Sequence, residues 1–108
     1  MPENLITKKN SDVIIMKVEM LYFADFKDIT GKSSEFLELT DNTITGLKIK
    51  IFNKYNPLKN LIWDNEIKGL KKNVSIVIND QVVSEKNAGK LKLKDGDKVA
   101  FLLPFAGG

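Results

Sequence analysis

Apolar and polar positions first alternate within residues 13–24, where Met16, Val18 and Met20 interleave with Lys17 and Glu19. A period of two marks a strand with one buried face. Residues 25–34 break the pattern around Thr30-Gly31-Lys32, where Gly31 can supply a positive φ, so this segment reads as a connecting loop. Residues 35–40 alternate again, separating Phe36 from Leu37 and Leu39. The two strands read as a hairpin with a long loop.

Residues 41–55 carry two competing patterns. Leu47, Ile49 and Ile51 alternate with Lys48 and Lys50 as in a strand, and Gly46 weakens a helix. Against this, Ile44, Leu47, Ile51 and Tyr55 fall on one helical face, and Asn42 or Thr43 offers an N-cap. A span of this length suits a helix, and Asn56-Pro57 supplies its stop. In residues 58–73 the expectation is a short helix or turn that packs Leu61, Ile62, Trp63 and Ile67 onto the core.

Residues 74–78 read as a strand, Asn79-Asp80 as a tight turn, and Gln81-Val82-Val83 as the returning strand. A polar loop follows around Ala88-Gly89. Asp95-Gly96-Asp97 then forms a turn that launches the last strand, residues 98–103, and Pro104 ends ladder donation. One main helix against a mixed sheet of four to five strands gives a two-layer α+β domain. The expected organisation is a flexible extension over residues 1–12, one domain over residues 13–104 and a flexible tail over residues 105–108.

Composition narrows the chemistry. The 108 residues contain no Cys and no His, which excludes disulfides, thiolate nucleophiles, Cys/His zinc sites and Ser-His-Asp triads. Any chemistry must use carboxylates, lysines, hydroxyls or a chain end. The net charge of +3 comes entirely from lysines among the basic residues. They are scattered among Asp and Glu and lack the planar fork of Arg, so they read as a solvated surface, with no nucleic-acid partner expected. No apolar run reaches the length of a membrane span, no export signal opens the chain, and cytoplasm is the expected location. Asp95 and Asp97 flank a turn glycine and read as turn chemistry rather than as metal ligands. Trp63 reads as core.

The sequence closes on Gly107-Gly108, a pair that average glycine usage would place there about once in 200 chains. Two residues without Cβ can thread a narrow channel in a partner enzyme. The run LKDGDKVAFLLPFAGG resembles the C-terminus of the MoaD/ThiS sulfur-carrier family. Residues 16–24 are similar to that family's opening strand, Thr30-Gly31 to its first-loop glycine, Thr43-Ile44-x-x-Leu47 to its helix start and residues 77–83 to its short hairpin. The chain departs from the family in having Lys27 but no Arg in the first loop, and Leu103 before Pro104 where paired prolines are common.

This resemblance implies a ubiquitin-like β-grasp fold and a carrier that is not catalytic alone. Gly108 would be adenylated by an E1-like enzyme and converted by a sulfur donor protein to a thiocarboxylate, with Gly107 giving the tail its clearance. No cofactor would be bound by the chain itself, ATP being used by the activating enzyme. The implied role is that of the small subunit of molybdopterin synthase, forming a heterotetramer with the large subunit in molybdenum cofactor biosynthesis. Its rivals are sulfur carriage for thiamin or tRNA thiolation, and modification of protein lysines. The docking surface for partners is expected at Phe101, Leu103, Pro104, Phe105 and Ala106, with Phe105 beyond the core.

Overall fold

The structure is a computed structural model and describes residues 15–103. Pro104, Phe105, Ala106, Gly107 and Gly108 therefore lie outside the described residues, as do the first fourteen.

Strands β1 (Met16–Leu21) and β2 (Ser34–Leu39) pair antiparallel from Met16↔Leu39 to Leu21↔Ser34, the expected hairpin. Met16, Val18, Met20, Leu37 and Leu39 point into the core, while Phe36 faces out and is 65% exposed. The connection is not a plain loop. Asp25–Thr30 forms helix α1, which buries Phe26 and closes on Gly31 at φ +77, its N–H bonded to the Lys27 carbonyl at 2.8 Å. A helix of six residues is too short for its period to stand out in the sequence.

Helix α2 (Ile44–Lys54) resolves the competing patterns in favour of the helix. Thr43 is the N-cap, its hydroxyl accepting the Gly46 N–H at 3.0 Å, and Ile44, Leu47 and Ile51 are buried. Burial of such aliphatic side chains contributes about 1.5–3 kcal/mol each relative to exposure. Asp41 braces the cap: its Oδ1 accepts the Thr43 N–H at 2.9 Å and the Thr43 hydroxyl at 2.6 Å. These bonds hold the Asp41 carboxyl below the usual carboxylate range. They also explain Gly46, since a Cβ there would meet Asp41 Cγ at 2.6 Å.

Helix α3 (Asn56–Ile62) follows with Pro57 in its first turn and buries Leu58 and Ile62. It runs into a two-stranded ribbon, β3 (Trp63–Asp64) and β4 (Gly69–Leu70). The buried positions of this segment are Leu58, Ile62 and Leu70, whereas Leu61 and Trp63 are half-buried and Ile67 is exposed. Strands β5 (Ser75–Ile78) and β6 (Gln81–Val83) join through Asn79 and Asp80, at φ of +50 and +70. Two positive φ values suit the right-handed twist of a tight hairpin, and Asn and Asp tolerate them best among non-glycine residues. The expected loop at residues 84–90 contains helix α4 (Glu85–Ala88), which buries Ala88.

The last strand, β7 (Lys98–Leu102), lies at the centre of the main sheet, whose order is β2-β1-β7-β5-β6. It runs parallel to β1 and antiparallel to β5. The result is the expected α+β architecture, with five strands in a mixed sheet and one main helix. No helix among the described residues is long and apolar enough to cross a membrane.

Replacing glycine by alanine inside a helix ordinarily stabilises by up to about 1 kcal/mol. Gly46→Ala is expected to reverse that sign, because the new methyl displaces the Asp41 side chain from the cap. Thermal unfolding should show a loss of about 1 kcal/mol, and a raised melting temperature would remove the Asp41–Gly46 packing from the account.

Candidate functional site

The site is built around the exit of β7, from which the tail continues. Its entrance is fixed by the Asp95-Gly96-Asp97 turn, with Gly96 at φ +90. Asp95 Oδ1 accepts the Lys17 N–H at 2.8 Å, and the Gly96 N–H returns to the Lys17 carbonyl at 2.7 Å. Asp97 Oδ1 accepts from the Asn79 side-chain amide at 2.9 Å, and its Oδ2 accepts the Lys94 N–H at 2.8 Å. Asn79 in turn accepts the Lys98 N–H at 3.0 Å. Both carboxylates are thus turn chemistry, and they lock the start of β7 to β1 and to the β5–β6 hairpin. Fixing this register sets where the chain leaves the sheet.

Along β7 the two faces differ in what they meet. Val99 and Phe101 point toward the helices and are 0% and 3% exposed. Phe101 is therefore not part of a docking surface, because its ring is consumed by the core. Leu103 is half-buried against that core, and the other expected contacts, Pro104, Phe105 and Ala106, fall outside the described residues.

The opposite face carries the apolar row that sequence reasoning left open. The pairings Val82↔Val77, Val77↔Ala100 and Ala100↔Leu21 line these residues across four strands, with Leu102 beside them on β7. Val82 is 73% exposed, whereas Ala100 is buried. Next to this row, Glu19 is paired with both Phe36 and Lys98. A flat apolar strip edged by charges, on the strand that leads to the tail, is suited to seating a protein partner.

A second feature was missed in the sequence. Glu35 lies on the inward side of β2, in step with Leu37 and Leu39, and its side chain is 9% exposed. Its Oε2 accepts hydrogen bonds from the Tyr22 and Tyr55 hydroxyls, both at 2.6 Å. Its Oε1 accepts from the Lys54 ammonium at 2.6 Å and from Lys32 at 3.3 Å. The two tyrosine rings meet edge-to-face, 6.0 Å between centroids. Burial would raise the carboxyl's pKa, but the bonds from Lys54, Tyr22, Tyr55 and Lys32 outweigh it and bring it down to about 2. Burial and the adjacent carboxylate push both tyrosines above their ordinary value. This cluster ties the junction of α2 and α3 to the end of the β1–β2 hairpin. The legible signal was parity: a Glu on the apolar side of an alternating strand.

The sequence profile of the ThiS family matches residues 20–108. The chain belongs to that family. Small archaeal modifier protein 3 of Haloferax volcanii is 30% identical over 95 residues, covering 86% of this chain and all of the relative. Among solved structures, small archaeal modifier protein 1 of Methanosarcina acetivorans superposes with a TM-score of 0.74 at 24% identity, covering 88% of this chain and 99% of that one. A Pyrococcus furiosus protein, provisionally assigned as molybdopterin converting factor subunit 1, gives a TM-score of 0.64 at 26% identity, covering 83% and 99%. The fold is the ubiquitin-like β-grasp, and this ThiS-family chain is of the sulfur-carrier and small-modifier kind.

Glu35 has its folded pKa depressed, so its contribution to stability is complete above about 4.5 and is lost as pH falls toward about 2. Glu35→Gln should destabilise the fold by about 1–3 kcal/mol at neutral pH and flatten the acid limb of the stability curve. Superimposable acid-unfolding curves for the two proteins would show that the cluster does not act this way.

Proposed function

We propose that the chain is a sulfur carrier activated at Gly108 and serves as the small subunit of a molybdopterin synthase. The observation that supports this most is the ThiS-family match running through residue 108, on a sheet whose central strand β7 leads directly into that tail. An E1-like enzyme joins the Gly108 carboxylate to the α-phosphate of ATP, releasing pyrophosphate. The outer sulfur of a donor protein's persulfide then displaces AMP to give an acyl disulfide, and a second thiol of the donor cleaves its S–S bond, releasing the thiocarboxylate and leaving a disulfide on the donor. Thiocarboxylate sulfur is a good nucleophile, so a chain without Cys or His can deliver sulfur once its tail enters the large subunit. Gly107 gives the tail room, and Leu103, Pro104, Phe105 and Ala106 line the approach. The five residues after Leu103 can reach at most about 17 Å.

A second reading is that Gly108 is joined to lysines of target proteins, favoured by the 30% identity to small archaeal modifier protein 3. Both readings begin with the same acyl-adenylate. Affinity capture from native extract separates them when the intact chain is compared with one lacking Gly108. A synthase large subunit together with an E1-like enzyme, recovered in stoichiometric amounts, supports the first reading. Target lysines carrying Gly-Gly remnants, lost on deletion, support the second. Identical captures from both forms would overturn the activation of Gly108.

Deleting Gly108 should leave stability within about 0.5 kcal/mol, because a terminal residue makes few contacts, while sulfur transfer vanishes. A large drop in melting temperature would instead make the tail structural. Phe105→Ala should weaken partner binding by more than about 1 kcal/mol with little unfolding. Unchanged affinity by calorimetric titration would remove Phe105 from the docking site.

A further inference from the structure

The side of α2 that faces away from the sheet carries a feature the tail chemistry does not use. Lys48, Ile49 and Phe52 of α2, Lys59 of α3, and Trp63 and Lys68 of the β3–β4 ribbon line a groove of about 450 Å³. Its floor is apolar: the Phe52 and Trp63 rings meet edge-to-face, 6.4 Å apart, and Ile49 is 55% exposed. Its rim is cationic. The Lys48 ammonium sits 5.1 Å from the centre of the Trp63 ring, and among the described residues no carboxylate lines the groove or forms an ion pair with Lys59 or Lys68.

All the residues that line the groove come from one basic stretch of the chain, within which Lys54 is paired with Glu35 and Lys50 lies on another side beside Glu38 and Asp41. Residues 44–73 hold seven lysines against Asp64 and Glu66, a net of +5, whereas the whole chain is only +3 and the remaining residues sum to −2. An apolar floor ringed by one sign of charge selects a ligand with an apolar anchor and the opposite charge around it. Stacked nucleic-acid bases fit less well. One face of Trp63 is occupied by Lys48 and its ring is contacted by Phe52, so the open aromatic platform that base stacking needs is missing.

We propose that this groove docks an acidic segment of a partner protein, seating one large apolar side chain between Ile49, Phe52 and Trp63 with Asp or Glu residues against Lys48, Lys59 and Lys68. The groove is separated from the outer sheet face by the helical layer and the sheet itself. A partner held there leaves the Val82–Leu21 row uncovered.

Trp63 is the single tryptophan and reports directly on the site. The full chain is titrated with short synthetic peptides bearing a central Leu, Ile or Phe flanked by Asp and Glu, reading Trp63 emission and the backbone amides of α2 and the β3–β4 ribbon. At least one peptide should give a saturable change. Binding should be weakened about tenfold or more in the Lys59→Glu/Lys68→Glu variant, and abolished when the peptide's acids are replaced by lysines. Both substitutions lie at groove-rim lysines that have no ion pair among the described residues, and an unchanged melting temperature verifies that the variant is folded. The chain lacking Gly108 should bind equally well, so failure of this surface and failure of tail activation are read separately. The proposal is overturned if no acidic peptide perturbs Trp63 at millimolar concentration, if the lysine peptide binds as well, or if a uridine oligonucleotide occupies the site where the peptides do not.

Discussion

Strand β7 is held along both edges, by parallel pairing with β1 from Glu19↔Lys98 to Leu21↔Ala100 and by antiparallel pairing with β5 from Ser75↔Leu102 to Ile78↔Val99. A central strand of this kind cannot shift register without moving Val99 and Phe101 out of the core. That constraint fixes the point at which the chain leaves the sheet. It also assigns the two sides of β7 different work: the inner side completes the core under α2, and the outer side contributes Ala100 and Leu102 to the apolar row. The Asp95-Gly96-Asp97 turn sets the register at one end, its two carboxylates accepting from the Lys17 and Lys94 backbone N–H groups and from the Asn79 side-chain amide.

The helical layer depends on a different kind of bond. Glu35 is nearly buried, and a carboxylate there is tolerable only because four donors surround it. Removing the donors would leave a charge in an apolar setting, so Tyr22, Tyr55 and Lys54 are best regarded as one unit with it. This unit sits where α2 gives way to α3, and therefore holds the segment that builds the lysine-rimmed groove. Sheet and helices thus present separate surfaces, the apolar row on one and the lysine-rimmed groove on the other.

What the sequence disclosed follows from the range of each interaction. The Thr43 cap, the Asn79-Asp80 turn and the Asp95-Gly96-Asp97 turn are decided by residues close together in the chain, and all three stand as read. Helices α1 and α4 escaped because six and four residues do not establish a period. Glu35 escaped because Tyr22, Lys54 and Tyr55 lie 13, 19 and 20 residues away, although its inward parity was visible. Phe101 was placed at a docking surface because the central strand is apolar on both sides. Only the third dimension shows which side the helices cover. The sulfur-carrier kinship was legible in the tail and in the strand before it, and the ThiS match extends it over residues 20–108.

The central claim is that Gly108 is the chemically activated position. Its most direct test is the intact mass of the chain after incubation with its E1-like enzyme, ATP and a sulfur donor, followed by mapping of the C-terminal peptide. The account predicts that one oxygen of the Gly108 carboxylate is replaced by sulfur. An unchanged mass, or sulfur found anywhere other than Gly108, would contradict it.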